Sequence, residues 1–300
     1  MSESAIEIRD LHFRYGRKQV LTGVNLEVPT GSIFGFLGRN GAGKTTTIKT
    51  LLGLLRPGAG TCKVLGADPQ EDPMTVRRGV GYMAEDQRMY GWMTVDQITR
   101  WTASFYPRWD RPFTDKLLEV LELDRKAKVK SLSKGQNSRL ALLLALGHRP
   151  KVVILDDPTL GLDPIARKEF LRHVIGLLQS HGVTVFFSSH LLYEIEPVAD
   201  YVAILDQGRI VKAGKTVELR ESVRRFVLAE ADGFDPGQIT GVLDVAREGD
   251  CLAVTVEDCD PAKREAFRNG KARFIREVPL NLDEIFEAYV IGNRGKERTL

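Results

Sequence analysis

The spacing of apolar and polar residues changes along the chain. Within the first 30 residues, IEIRDLHFRYG and VLTGVNLEVP alternate apolar with polar positions, which predicts half-buried antiparallel strands. The apolar run Ile33–Leu37 predicts a buried central strand. Over Thr45–Leu55 the apolar residues share one helical face, and Pro57-Gly58 predicts the end of that helix.

The pattern becomes helical from about residue 87 to 150. ITRWTASFY and FTDKLLEVLEL have helical spacing, and SRLALLLAL is apolar nearly all round, which predicts a buried helix. All of the tryptophans, Trp92, Trp101 and Trp109, fall in this segment. Two interpretations remain open. Either the indoles fill a small helical core, or some of them face a partner, since Trp is enriched at interface hot spots.

Apolar runs that predict buried strands return at 151–157, 183–189 and 201–206. A helix is predicted over Pro164–Gln179, between the first two of these runs. Strand, helix and strand at this spacing are typical of a parallel sheet with helices on its faces. Residues 207–220 fit a short hairpin through Gln207-Gly208, followed by a helix.

A different unit is predicted after about residue 220. ITGVLDVAREGDCLAVTVED predicts two strands joined at Glu248-Gly249-Asp250. A helix, a strand and an amphipathic helix follow in PAKREAFRN, ARFIREV and NLDEIFEAYV. We therefore expect an α/β domain at residues 1–220, which includes a helical subdomain at about 87–150, and a small α+β module at 221–300.

Composition excludes several classes of protein. Hydrophobic residues make up 43% and charged residues 28% of the chain, which rules out a mostly disordered, collagen-like or integral membrane protein. The stretch from His173 to Tyr193 carries no Lys, Arg, Asp or Glu, but its histidines make it too polar to span a bilayer. The Met1 end is acidic and lacks an apolar core, so no signal peptide is expected. Cys62, Cys251 and Cys259 are expected to be reduced, although Cys251 and Cys259 could pair.

The net charge of +3 is unevenly spread. Residues 221–300 carry −4, so the remaining 220 residues carry +7. This surplus of positive charge is too small to indicate a nucleic-acid-binding surface, and we expect no nucleic-acid partner. It suits a protein that binds anions locally.

A phosphate-binding loop is the strongest chemical signal. GRNGAGKT fits the pattern GxxxxGK[ST], follows an apolar strand and opens a helix. Glycines let successive N–H groups point at phosphate oxygens, and the helix N-terminus adds a favourable partial charge. Lys44 is predicted to reach the β- and γ-phosphates and Thr45 to ligate Mg²⁺. The candidate nucleotide-binding residues here are Gly38, Asn40, Gly41, Ala42, Gly43, Lys44, Thr45 and Thr46.

Two further segments add to this signal. The strand VVILD delivers the Asp156 carboxylate beside the loop, where it can hold Mg²⁺ through water, so the pair predicts a nucleoside triphosphatase. LSKGQ, with Ser133 and Gly135, precedes the helix SRLALLLAL. On its residues alone it is either a second anion site or an ordinary Ser N-cap.

LSKGQ resembles the LSGGQ signature of ABC-type ATPases, and other motifs of that family occur around it in order. Tyr15 matches the aromatic residue that stacks on adenine, with Phe13 as the less favoured candidate. Glu85 stands where the family usually has the Gln of the Q-loop, and His190 matches the switch histidine. PTLGLD matches the D-loop, which includes Asp163. The resemblance covers about residues 5–220.

The resemblance implies a P-loop nucleotide hydrolase fold and a head-to-tail dimer. ATP and Mg²⁺ on one subunit would be closed over by the signature of the other. The residues that bind the partner's ATP would be Ser133, Gly135 and Gln136. Because the chain has one such domain, two copies, or one copy and a paralogous ATPase subunit, are required.

FYPRWD, LSKG and NLDEIF look most like bacterial export-type subunits that pair with a separate integral membrane permease. The resemblance therefore implies an ATPase that drives export and lies in the cytoplasm, peripherally on the inner face of the membrane. The expected docking face is about Met89–Tyr106. Its apolar side chains would instead belong to the core of the helical subdomain if no partner helix inserts there.

Three positions depart from the family pattern. The family usually has Glu after the magnesium-site Asp, whereas this chain has Asp157, which is one methylene shorter. Either Asp157 still serves as the catalytic base with slow turnover, or the protein binds ATP with hydrolysis largely lost, as an ATP-sensing regulator. Glu85 can still ligate Mg²⁺ or position water, and Lys134 adds positive charge near phosphate. A soluble ABC-type protein acting on ribosomes or DNA is less favoured, because such chains usually carry two nucleotide domains or a coiled-coil insertion.

Overall fold

The computed structural model describes residues 4–160, 162–179, 182–190, 192–229, 234–269, 272–292 and 297–299. It divides into two compact units. The first unit is Met1–His190 with Leu205–Ile210, and the second unit is Leu191–Ile204 with Val211–Leu300. The predicted domain boundary at residue 220 stays a prediction.

The first unit begins with an antiparallel sheet of three strands in the order β2-β1-β4. These strands are β1 (Ser4–Tyr15), β2 (Lys18–Pro29) and β4 (Ala59–Val64). The alternating pattern predicted β1 and β2, and their inward residues, among them Ile6, Leu21 and Val24, are fully buried. The strand β4 was not predicted from the sequence.

A parallel sheet in the order β5-β6-β7-β3 forms the rest of the core of this unit. Its strands are β3 (Ile33–Leu37), β5 (Val80–Met83), β6 (Val152–Asp156) and β7 (Thr184–Ser189). Every residue of β3, β6 and β7 is buried, as their apolar composition predicts. Because the strands are parallel, their carboxyl ends lie at one edge of the sheet, where the phosphate loop and Asp156 also lie.

The helices of the first unit are α1 (Lys44–Leu51), α2 (Pro73–Gly79), α3 (Val95–Ala103), α4 (Arg111–Val120), α5 (Lys134–Leu146) and α6 (Pro164–Gln179). The predicted helix at Thr45–Leu55 ends early because Gly53 takes a left-handed conformation with φ of 65°. A Cβ at Gly53 would lie 2.3 Å from the carbonyl oxygen of Pro69, so this close backbone approach requires glycine.

The second unit contains a five-stranded sheet in the order β13-β10-β12-β11-β14. Its sheet strands are β10 (Arg224–Ala229), β11 (Val242–Glu248), β12 (Cys251–Val256), β13 (Arg273–Pro279) and β14 (Glu297–Thr299). Its helices are α7 (Leu192–Ile195), α8 (Thr216–Ser222), α9 (Pro261–Arg268) and α10 (Leu282–Val290). The α+β character was predicted, but β10, which pairs with both β12 and β13, was not.

Two further strands are β8 (Tyr201–Asp206) and β9 (Arg209–Lys215). The turn between them, Leu205–Ile210, belongs to the first unit.

In the second unit, Phe226 stacks on Phe267 of α9 with ring centroids 4.1 Å apart and planes 5° apart. The three cysteines are free, as predicted.

Candidate nucleotide site

The phosphate loop joins β3 to α1 and has a backbone that only glycine adopts readily. Gly41 and Gly43 have φ of 83° and 116°. A Cβ at Gly43 would lie 2.6 Å from Cδ2 of Leu21. The glycine spacing of the motif is therefore explained by the chain's own backbone and by its contact with β2.

The turn between β8 and β9 holds the loop from a second side. Gly208 donates its N–H to the Ala42 carbonyl at 3.1 Å and accepts the N–H of Thr22 at 2.8 Å. A Cβ at Gly38 would lie 2.7 Å from the carbonyl oxygen of Leu205. These contacts fix the loop between β2 and the turn.

Lys44 lies at the start of α1 with its side chain folded back over the loop. Its Nζ donates to the Gly38 carbonyl at 2.8 Å and lies 3.8 Å from Oδ2 of Asp157. Burial lowers the pKa of Lys44, and the carboxylates of Asp157, Asp156 and Glu85 oppose that shift. The ammonium group is therefore held within the site by acidic partners.

Asp156 ends β6 and is almost completely buried. Its Oδ1 accepts a hydrogen bond from Oγ of Ser188 at 2.6 Å, whereas its buried Oδ2 has no hydrogen-bond partner among the described residues. Burial raises the pKa of Asp156, hydrogen bonds from Ser188 and Thr45 oppose the shift, and repulsion from Asp157 adds to it. A buried carboxylate oxygen without a partner fits a cation that arrives with the ligand.

The residues fit Mg²⁺ in the manner usual for nucleotide sites. The described residues contain no group of three His, Cys, Asp or Glu side chains placed to hold a metal ion by themselves. Mg²⁺ is commonly held by one or two carboxylates, water and substrate phosphates rather than by an all-protein cage. Asp156 and the hydroxyl of Thr45 supply such a partial set.

Asp157 has a left-handed backbone, with φ of 45°, immediately after β6. Its N–H donates to the carbonyl oxygen of Ser188 at 3.1 Å and to the hydroxyl oxygen of Ser188 at 3.2 Å. Its Oδ1 lies 2.9 Å from Nδ1 of His190, so the tautomer protonated on Nδ1 donates to the carboxylate. Asp is one of the residues that tolerate this backbone region best.

A cavity of about 630 Å³ opens beside these groups. The predicted residues that line it are Tyr15, Asn40, Gly41, Gly43, Lys44, Thr45, Thr46, Glu85 and Asp157. Tyr15 is 51% exposed, packs edge-to-face on Phe13 and faces this cavity, whereas Phe13 is buried. Four further polar residues of the wall were not predicted from the sequence: Lys18, Gln19, Arg39 and Gln207. Arg39 lies within the phosphate-loop motif, and the other three lie outside the matched motifs.

Glu85 follows β5 and reaches the same cavity. Desolvation raises its pKa, and repulsion from Asp156 and Asp157 adds to the shift, while Lys44 and His190 oppose it. The three carboxylates therefore interact electrostatically, as expected of acidic groups gathered where a cation is to bind.

The signature residues lie away from this cavity. Ser133 caps α5 by accepting the N–H of Gln136 at 3.2 Å, and Gln136 Oε1 accepts the N–H of Ser133 at 2.9 Å. None of Ser133, Gly135 and Gln136 lines the cavity in the part of the chain that the structure describes. Asp163 lies directly before α6, accepts the N–H of Ile165 at 3.0 Å and is also absent from the lining. Gly161, in the predicted D-loop, lies outside the described residues.

A second cavity, of about 490 Å³, lies in the helical part of the first unit. Tyr90 and Trp101, which line it, meet edge-to-face at 5.1 Å, and Trp92 and Phe105 extend the aromatic group. Trp92 is 67% exposed, and Trp101 and Phe105 are also exposed. The interpretation that all tryptophans fill a core is therefore wrong for Trp92 and Trp101.

Comparisons with known proteins agree with the geometry. A family model described as ABC transporter matches residues 21–160. The bacitracin transport ATP-binding protein BcrA of Bacillus licheniformis is 35% identical over 224 residues, which are 74% of this chain and 73% of BcrA. The Nod factor export ATP-binding protein I of Burkholderia orbicola is 32% identical over 296 residues, which are 95% of this chain and 97% of the relative. The chain belongs to the ATP-binding proteins of ABC transporters.

A solved structure of an ATP-binding subunit of an ABC transporter has the same fold, with a TM-score of 0.66 and 29% identity over 73% of this chain and 92% of that one. The family resemblance and the ABC-type P-loop fold are thus confirmed. Members of the family are ATPases that bind ATP and work with membrane permeases, and this chain is an ATPase of that family. Within the described part of the chain, no helix has both the length and the apolar character needed to cross a membrane.

Proposed function

We propose that this chain closes with a second ATP-binding subunit over ATP and Mg²⁺, hydrolyses the ATP, and thereby drives a separate membrane permease in the export direction. One observation carries the proposal: Lys44, Asp156, Asp157 and His190 are brought together around a glycine-rich phosphate loop. Three of these contacts join residues more than 30 positions apart. They are therefore products of the fold rather than of local sequence.

Different groups of residues bind the phosphates, the adenine and the Mg²⁺ ion. The loop from Gly38 to Thr46 surrounds the phosphates with N–H groups, and Lys44 supplies a positive charge. Tyr15 stacks on adenine, because its exposed ring faces the cavity from β1. Thr45, Asp156 and Glu85 hold Mg²⁺, which when bound neutralises phosphate charge and orients the phosphoryl group.

Asp157 is the proposed base and His190 a second catalytic group. The carboxylate accepts the proton of the attacking water, and the Nδ1–H of His190 fixes one carboxylate oxygen. The left-handed backbone supports an Asp here, since a shorter side chain is compatible with that conformation. This arrangement supports an active site rather than a regulator that only senses ATP.

The signature supports a head-to-tail dimer. Gly135 is not one of the glycines with a positive φ. A Cβ at this position would make only an ordinary contact, 3.8 Å from Cδ2 of Leu162. The subunit itself therefore gives no reason for glycine at this position. A close approach by the partner's nucleotide does, with Ser133, Gln136 and Asp163 beside it.

The exposed aromatic group formed by Tyr90, Trp92, Trp101 and Phe105 supports a docking role for the Met89–Tyr106 face. Large exposed apolar surfaces mark interaction sites, and aromatic side chains are enriched at binding hot spots. The adjoining cavity of about 490 Å³ is open to a helix of the permease. The proposed location of the protein is therefore peripheral, on the cytoplasmic face of the membrane.

The names of two relatives support a role in transport, and one of them names the direction. These names concern bacitracin transport and Nod factor export. The Nod factor relative matches nearly the full length of this chain, including the second unit. The cargo itself is selected by the permease, so the proposal extends to direction and not to substrate.

The catalytic part is tested by ATPase and ATP-binding measurements on the full chain and two variants. Asp157→Asn keeps the shape of the side chain but removes its negative charge and its ability to accept a proton. This variant should therefore bind ATP without hydrolysing it. Asp157→Glu should keep or raise turnover. Wild-type turnover in Asp157→Asn would remove Asp157 as the base, and an unmodified protein that binds ATP without turning it over would favour the sensing role.

The permease part is tested by purifying tagged protein from detergent-solubilised membranes of the native cell and identifying bound chains by mass spectrometry. A stoichiometric multi-span protein is expected with the unmodified chain and with Val217→Ser, an exposed position in the second unit. Trp101→Ser should reduce its recovery. If Trp101→Ser does not reduce recovery of the multi-span protein, the permease docks on another surface of this chain.

A further inference from the structure

One hydroxyl group links the two carboxylate residues at the end of β6. Ser188 lies on β7 in register with Asp156 and is completely buried. Its Oγ donates to Oδ1 of Asp156 at 2.6 Å and accepts the N–H of Asp157 at 3.2 Å. Ser188 therefore contacts both the proposed metal ligand and the proposed base, although it belongs to none of the matched motifs.

The bond to Asp156 determines how that carboxylate is turned. Because Oδ1 accepts from Ser188, the other oxygen is the one left without a partner among the described residues. A carboxylate ligand is usually held by a hydrogen bond of this kind, and loss of such a bond commonly weakens metal binding about 10- to 100-fold.

The N–H of Asp157 is shared between the carbonyl oxygen of Ser188, at 3.1 Å, and its hydroxyl oxygen, at 3.2 Å, so the hydroxyl adds to a main-chain restraint on the backbone of the base. That residue has φ of 45°, and from this conformation its carboxylate reaches Nδ1 of His190. Asp has one side-chain torsion fewer than Glu, so the position of its carboxylate depends more strongly on the backbone. A restraint on the N–H of Asp157 is therefore also a restraint on its carboxylate.

We propose that the Ser188 side chain is a positioning group that orients the Asp156 carboxylate toward Mg²⁺ and at the same time adds a second restraint to the backbone of Asp157. The inference rests on the proposed function, since the roles of Asp156 and Asp157 do. If Ser188 had only a structural role, its removal would lower metal affinity and turnover only as far as it destabilises the fold. A positioning role lowers them beyond that, so the two roles can be distinguished.

The chain offers matched variants for the test. Ser188→Ala removes both hydroxyl hydrogen bonds and keeps the main-chain bond from the Asp157 N–H to the carbonyl of residue 188. Ser188→Thr retains a hydroxyl that can make both side-chain bonds. Ser189→Ala is the control, because Ser189 is the next residue on β7, is equally buried and points to the opposite face of the strand. Both alanine variants remove one buried hydroxyl from the same strand.

The measurements are kcat and KM for ATP, Mn²⁺ affinity by electron paramagnetic resonance with a non-hydrolysable ATP analogue bound, and the temperature of unfolding. Ser188→Ala should lower kcat about 10- to 100-fold, as expected for loss of a buried hydrogen bond to a charged group. It should weaken Mn²⁺ binding about 10-fold or more. Binding of the analogue without metal should change much less, and Ser188→Thr should recover most of both losses.

The outcomes separate the inference from the proposed function. Wild-type kcat and Mn²⁺ affinity in Ser188→Ala would overturn the positioning role. Equal losses in Ser188→Ala and Ser189→Ala, following their unfolding temperatures, would also overturn it in favour of a structural role. If the unmodified protein binds neither the analogue nor Mn²⁺, the proposed function itself fails and the inference fails with it.

Discussion

We expect acid to destabilise the first unit through one buried histidine, His148. The residue follows α5 and is 6% exposed. Its ring stacks on Tyr106 with centroids 4.0 Å apart, and its Nε2 lies 3.2 Å from the Val80 carbonyl oxygen. Its Nδ1 is buried without a hydrogen-bond partner in the described part of the chain. A second proton would therefore place a charge in an apolar and aromatic environment.

The magnitude follows from the pKa. Burial lowers the pKa of His148 to about 4, and the hydrogen bond with the Val80 carbonyl opposes that shift. In the unfolded chain a histidine has a pKa of about 6.5, so between these values the unfolded state binds more protons. The free energy of unfolding therefore falls as the pH is lowered from about 6.5 to 4. The full difference corresponds to about 3 kcal/mol.

Urea unfolding followed by tryptophan fluorescence, at pH values from 7.5 to 4, measures this dependence. His148→Phe keeps an aromatic ring against Tyr106 but cannot titrate, so it should lose about 3 kcal/mol less than the unmodified protein over that range. His12→Gln, at a half-buried position on β1, controls for loss of a histidine. Parallel curves for the unmodified protein and His148→Phe would refute the reasoning, because carboxylates common to both would then explain all of the acid sensitivity.

Three further changes have defined outcomes. Gly43→Ala should weaken ATP binding at least about 10-fold in a binding titration, because a Cβ would lie 2.6 Å from Leu21 in a left-handed backbone. Tyr15→Ala should leave the unfolding temperature nearly unchanged, since the ring is exposed, but should weaken ATP binding about 10-fold by loss of stacking, whereas Tyr15→Phe should retain affinity. Phe226→Ala should destabilise the second unit by about 3–5 kcal/mol through the cavity left beside Phe267, and a calorimetric scan with an unchanged transition would contradict this.

The phosphate loop and the strands around it could be predicted because their causes are local. The glycines of the loop are needed for its own backbone conformation, and the apolar run of β3 is needed for a buried strand. The same holds for β11 and β12, whose alternating pattern and polar turn are sufficient to indicate a hairpin. Short elements without such a pattern, among them β4 and β10, were missed because they are stabilised by the strands beside them.

The motifs also indicated which residues would meet at the site, but not how they would meet. The sequence by itself determined the α/β fold, the phosphate loop, the acidic pair Asp156-Asp157 and the family to which they belong. Only the tertiary structure decided that Ser188 joins that pair, that Asp157 takes a left-handed backbone, and that Trp92 and Trp101 are exposed. The physical reason is that these features depend on the register between β6 and β7 and on packing between helices, and both bring together residues that are distant along the chain.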